Sequence, residues 1–165
     1  KHNQKQVEYT CFFAHLKRSF LIELILMHPH LSVLTLAVHD LQTSLDFYCL
    51  GLGFHSEGII GQEYEYGAVA FIELQSGLKL ALWPQQSLSL DSGLALTPLC
   101  PTGLSLGHNV ASAAEVDTIM IRAEKAGATI TKAAQATFYF FYVGYFQDPD
   151  GHLWEIVWNP CWEKS

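Results

Sequence analysis

From residue 31 onward the spacing of apolar positions changes period in a fixed order, strand-like, helix-like and strand-like again, and it does so twice. Leu31 to Val38 is apolar and β-branched, and Asp40 can cap a helix that carries Leu41, Leu45 and Tyr48 on one face and is closed by Gly51 and Gly53. Ala68 to Leu74, the turn Gln75-Ser76-Gly77 and Leu78 to Trp83 then read as two strands and their hairpin. The second copy starts with Leu104 to Val110. Ser112-Ala-Ala-Glu115 has the form of a capping box, Val116, Ile119 and Ala123 supply a buried face, and Gly127 ends the helix. Tyr139 to Phe146 and His152 to Trp158 flank Asp148-Pro149-Asp150-Gly151, where Pro suits the second turn position and Gly the place where φ turns positive. Leu52-Gly53-Phe54 answers Ala126-Gly127-Ala128, and Gly77 answers Gly151. The pattern predicts an α+β chain of two βαβββ modules, residues 27–83 and 104–160, joined by a linker rich in Ser, Pro and Leu over 84–103 and followed by a tail at 161–165.

Ahead of the modules, Phe12, Leu16, Phe20 and Leu24 recur every fourth residue with Phe13 and Leu21 beside them, the stripe of an amphipathic helix. It is expected to dock on the domain or on a partner subunit. Lys17-Arg18 and the run Ser19 to Met27 imitate a secretory signal, but Glu23 interrupts it and no small-residue cleavage site follows. The run is also shorter than the roughly 20 residues that span a bilayer. Met27 is where a native chain is expected to start, with residues 1–26 an addition or a functional extension.

With 165 residues, half of them apolar, the chain can bury a core of its own as a single domain. Its formal charge of −7 has no basic cluster to offset it, which argues against a nucleic-acid surface and favours neutral or cationic ligands. Cys11, Cys49, Cys100 and Cys161 lie far apart without zinc-type spacing, so free thiols in a reducing, cytoplasmic setting are expected. The sequence holds no P-loop, no G-x-G-x-x-G after a strand, no G-x-S-x-G elbow and no H-E-x-x-H. A membrane partner is not expected either.

Four segments carry a resemblance: Leu34-Thr-Leu-Ala-Val-His-Asp-Leu-Gln-Thr-Ser-Leu-Asp-Phe-Tyr48, Leu50-Gly-Leu-Gly-Phe54, Ala123-Glu-Lys-Ala-Gly127 and Phe146-Gln-Asp-Pro-Asp-Gly-His-Leu-Trp-Glu155. In their order and spacing the chain resembles the vicinal oxygen chelate superfamily of glyoxalases, bleomycin-resistance proteins and extradiol dioxygenases. The resemblance implies paired βαβββ modules whose curled sheets form a U-shaped cavity, commonly in a homodimer. It also implies a divalent metal held by four side chains, one from the first and one from the last strand of each module. The last of them matches Glu155; internal symmetry gives Ala81, and the first strands give Val33 and Ser105. Three of these four are not ligands for zinc, nickel, iron or manganese, so no metal cofactor is expected, with a divalent ion at a relocated site as the alternative. His39, His108 and His152, and the pair His28 and His30, are expected to be core or surface histidines.

What remains is a cavity for a small molecule. Strand parity lines it with Thr35 and Ala37, with Lys79 and Trp83, with Ser105 and Asn109, and with Leu153 and Glu155. Phe71 and Glu73 are expected to join, together with one of Tyr139, Tyr142 and Tyr145, with Tyr142 the candidate. Trp154 and Trp158 should face the helices. Glu155 stands alone in an apolar strand, where a bare carboxylate costs several kcal/mol to bury. It therefore meets a ligand, acts as a general base, or pairs with Lys79 on the matching strand. The expected function is metal-independent binding of an aromatic or amphipathic molecule, in the manner of the bleomycin-resistance branch. The alternative is a lyase, isomerase or dioxygenase that uses a relocated metal or Glu155 as base.

Overall fold

Asp40 and Ser112 start the two helices around which the protein is organised. In the computed structural model, which describes residues 29–138 and 140–161, Asp40 is extended and its Oδ1 accepts the Thr43 N–H at 2.7 Å. That cap opens helix α1, Leu41–Asp46, which runs on into a π-helical turn at Phe47–Gly51. Helix α3, Ala113–Ala126, is capped by Ser112 Oγ at 3.2 Å from the Glu115 N–H, while Glu115 reaches back to the Ala111 N–H at 2.8 Å. It ends at Gly127, whose φ of 108° only glycine adopts without strain.

The strands are β1 Val33–Val38, β2 Ser56–Ile60, β3 Val69–Glu73, β4 Lys79–Pro84, β5 Ser105–Asn109, β6 Thr129–Ala136, β7 Tyr142–Gln147 and β8 Leu153–Trp158. They form two four-stranded mixed sheets with the same order, β1-β4-β3-β2 and β5-β8-β7-β6. In each, the first strand of the module lies parallel to the last, and the rest are antiparallel. All eight belong to one compact unit that begins at Ser32. The linker is not irregular throughout: Gln85–Ser92 forms helix α2, which stops at Gly93 in the left-handed conformation. The amphipathic helix expected over residues 12–24, Tyr139 and Trp162 lie outside the described residues.

Even-numbered strand residues, among them Leu36, Ile72, Leu80, Leu82, Phe146, Trp154 and Ile156, are buried together with Leu45, Tyr48, Val116 and Ala123 of the helices. The result is one continuous core shared by both modules. Phe47 and Tyr48 of the first module pack edge-on and tilted against Phe146 and Trp154 of the second. Arg122 closes the contact from outside, its Nε donating to the Gly51 carbonyl at 2.6 Å.

Two glycines test how rigid this packing is. A Cβ added to Gly51 would meet the Ala126 Cβ at 2.5 Å, and a short side chain on a helix has nowhere to go. Gly51→Ala should therefore push α3 from the π-helical turn and cost roughly 1–3 kcal/mol. At Gly144 the added atom would meet Met120 Cε and Sδ at 2.9 Å, the far end of a flexible chain. Gly144→Ala should cost below about 1 kcal/mol. Urea midpoints of the two variants give the comparison, and the reverse order would refute it.

Candidate functional site

The helices cover the even-numbered face of both sheets, and the odd-numbered face of each is turned away from them. On the second sheet its centre is Glu155, opposite Tyr145 on β7 and Gly107 on β5. The Tyr145 hydroxyl donates to Glu155 Oε1 at 2.5 Å, and this bond, helped by burial and by the carboxylate charge, pushes the phenol up to a pKa of about 12. Oε2 faces the backbone of Gly107, where a Cβ would lie 3.9 Å from it, and it has no hydrogen-bond partner among the described residues. Lys132 Nζ sits 5.7 Å from the centre of the Tyr145 ring. If Glu155 is what holds the phenol proton, a spectrophotometric titration of Glu155→Gln should show the Tyr145 pKa falling back toward 10, the ordinary value; no change would break the assignment.

The symmetric position on the first sheet is built differently. Phe71 stands opposite Ala81, so a ring and a methyl replace the phenol and the carboxylate. Lys79 Nζ again lies near the ring, 5.8 Å from the Phe71 centre, and pairs with Glu73 at 2.7 Å. The Lys79–Glu155 pair, one of the three alternatives for Glu155, does not form, because β3 offers Lys79 a closer carboxylate. Trp83 is opposite Ala37 and donates Nε1–H to the Tyr66 carbonyl at 3.1 Å. Tyr142 is corrected as well. Its even parity turns it to the helix side, where its hydroxyl donates to Asp117 at 2.9 Å. Of Tyr142 and Tyr145, Tyr145 is the one beside Glu155.

Register also moves two of the four positions implied for a metal. Thr35, not Val33, pairs with Ala81, and Gly107, not Ser105, pairs with Glu155; Val33 and Ser105 face Lys79 and Leu153. Neither reading supplies more than one strong ligand, and that one is engaged by Tyr145. Among the described residues no group of three or more His, Cys, Asp and Glu is arranged to hold a metal ion. The donor set does not fit the four-ligand metal site that the family implies. Ser105 and Asn109 are exposed along the edge strand β5, and His108, also on that strand, pairs with Ile156 on the helix-facing parity.

The turn Asp148–Gly151 does more than join β7 to β8. Asp148, fully buried, accepts the Tyr48 hydroxyl at 2.5 Å and His152 Nδ1 at 2.9 Å on Oδ2, and the N–H groups of Asp150 and His152 on Oδ1. Asp150 accepts the Ser44 hydroxyl at 2.6 Å and both the backbone N–H and Nδ1 of His39. Both carboxylates thus fasten the second module to the start and end of the first module's helix. Beside this turn, under the segment that follows α2, two cavities of about 190 and 340 Å³ share Ala37, Leu88 and Leu99 in their walls.

The βαβββ repeat and these paired sheets define a class, and comparison with known proteins agrees. The chain belongs to the Glyoxalase/Bleomycin resistance protein/Dioxygenase superfamily, whose pattern it matches over residues 30–156. It is 34% identical to a glyoxalase-related enzyme from Fulvimarina pelagi, with a TM-score of 0.72 over 84% of this chain and 94% of that one. An antibiotic-binding protein from Streptomyces sp. CB03234 (18% identity, TM-score 0.57, 81% and 98% covered) shares the fold. So does a lactoylglutathione lyase from Agrobacterium tumefaciens (18%, TM-score 0.59, 84% and 100%). No curated protein matches the chain. Cys49, Cys100 and Cys161 are free thiols, and among the described residues no helix is long and apolar enough to cross a membrane.

Proposed function

We propose that this protein binds a small aromatic or amphipathic molecule between its two odd-numbered sheet faces, without a metal, and that a second copy of the chain completes the cavity. The observation that carries this reading is the asymmetry of the two module centres. Glu155 offers Oε2 over Gly107, while the matching place on the other sheet is Phe71 over Ala81. One wall can take a cation or a hydrogen-bond donor and the other an apolar ring, the division of labour usual in small-molecule sites. The fold shared with an antibiotic-binding protein supports it, and free thiols suit a reducing compartment such as the cytoplasm.

Berberine, a fluorescent aromatic cation, serves as the probe. Glu155→Gln should weaken its binding at least about tenfold, the worth of one charge-assisted contact, with little change in thermal stability. Equal binding by both proteins would sink the proposal. The short Tyr145–Glu155 bond favours one second reading, an enzyme in which Glu155 takes a proton from the substrate. Sustained turnover that Glu155→Gln abolishes would select that reading over sequestration.

A further inference from the structure

The cavity of about 190 Å³ lies where the two modules meet, between β1, β5 and the start of β8, and is roofed by Leu88 of α2 and by Leu99 and Cys100 of the segment after it. Neither Glu155 nor Tyr145 lines it, although Thr35, Ala37 and Leu153, expected in one cavity with Glu155, do. Leu36, Leu106 and Leu153 make it largely apolar; Thr35 and Cys100 add a hydroxyl and a thiol, and His152 an imidazole whose side chain is only 10% exposed. That ring is held from behind. Asp148 Oδ2 sits 2.9 Å from Nδ1 and also accepts the Tyr48 hydroxyl, so the proton between Asp148 and His152 resides on Nδ1. Burial alone would raise the Asp148 pKa, but the bonds from His152 and Tyr48 outweigh it and hold the carboxyl below its usual range. Nε2 has no hydrogen-bond partner among the described residues. When the ring carries its single proton on Nδ1, Nε2 is left as an acceptor with an unused lone pair on a ring that lines the chamber.

We propose that this chamber is a second small-molecule site, independent of the Glu155 reading, that takes a neutral hydroxyl compound of about one ring's size, an alcohol or phenol, donating its O–H to His152 Nε2. The volume suits it, since an apolar cavity of roughly 150 Å³ accommodates benzene. A hydroxyl answers this unused acceptor, and the Thr35 hydroxyl in the same wall can bond its oxygen, whereas a carboxylate would face the Nε2 lone pair with another.

Titration of the intact chain with phenol, followed by the His152 ¹⁵Nε2 resonance, reads occupancy of the chamber, and the resonance should shift saturably. Toluene, equal in shape but without the O–H, should need about five- to tenfold higher concentration to raise the thermal midpoint equally, the worth of one hydrogen bond. His152→Phe strands the buried Asp148 and can fail to fold, so Leu88→Trp, which fills the chamber from α2, is the blocking variant and should abolish both effects. An unmoved His152 resonance, equal potency of toluene and phenol, or undiminished effects in Leu88→Trp would each overturn the proposal.

Discussion

Asp148→Ala is expected to destabilise the protein by about 3–5 kcal/mol, seen as a fall in the urea midpoint at unchanged slope. Four donors converge on this one buried carboxylate: the Tyr48 hydroxyl, His152 Nδ1 and two backbone N–H groups of the turn. Alanine leaves all four without their acceptor in a place water does not reach, and an unsatisfied buried donor costs about 1–3 kcal/mol. The damage spreads, because the Tyr48 oxygen also receives Trp154 Nε1–H at 3.2 Å, between the aromatic rings of the two modules. Asp148→Asn should cost less, since its carbonyl can still accept the two backbone groups. Acid adds a second signature. The folded pKa of Asp148 lies below its ordinary value of 3.8, so its ionised form favours the folded state. That contribution is complete above the unfolded pKa and is lost as the pH falls through the folded one, which makes stability decline with acidification below about pH 4. Asp148→Asn should flatten the decline there. A loss under about 1 kcal/mol in Asp148→Ala would mean that the network is not what joins the modules.

Much of this architecture is legible in the sequence because it is local. Asp40, Ser112 and Gly127 announce helix ends through chemistry that acts within four residues, and the Asp148–Gly151 turn is set by its own residue types. Parity then places Phe71, Lys79, Trp83 and Glu155 on their faces, since a strand has only two. What parity does not carry is register. Val33 and Thr35 share a face, and only the pairing of β1 with β4 shows that Thr35 is the one beside Ala81. Tyr142 was misplaced for the same reason: Tyr145, three residues on and therefore on the other face, meets Glu155 only once β7 is aligned with β8. The second duty of the turn was hidden by its first. Aspartates at those positions are explained by the turn alone, so nothing local marks Asp148 and Asp150 as acceptors for residues a hundred or more positions away. Composition alone also made a linker of Gln85–Ser92, whose helix has little amphipathic pattern of its own.

Phe146→Ala should cost about 3–5 kcal/mol, comparable to the loss of Asp148, although it removes no polar contact. The ring is wholly buried on β7, stacked on Trp154 with 6.2 Å between centres and edge-on to Phe47 at 6.4 Å. Trp154 belongs to the same sheet, but Phe47 comes from the π-helical turn of the first module, so truncation opens a void at the boundary between modules. The neighbours cannot close it easily. Trp154 is tied through Nε1 to Tyr48, and α3 is held at Gly51 by contact with Ala126 and by the Arg122 bond. If both modules share one core, calorimetry should show one transition in the native protein and one, shifted down as a whole, in Phe146→Ala. Two transitions, with only the second module's moving, would show that each βαβββ unit keeps its own stability. That outcome would also contradict the reading of Asp148 as a tie between modules, because a tie between independent units cannot lower the stability of both.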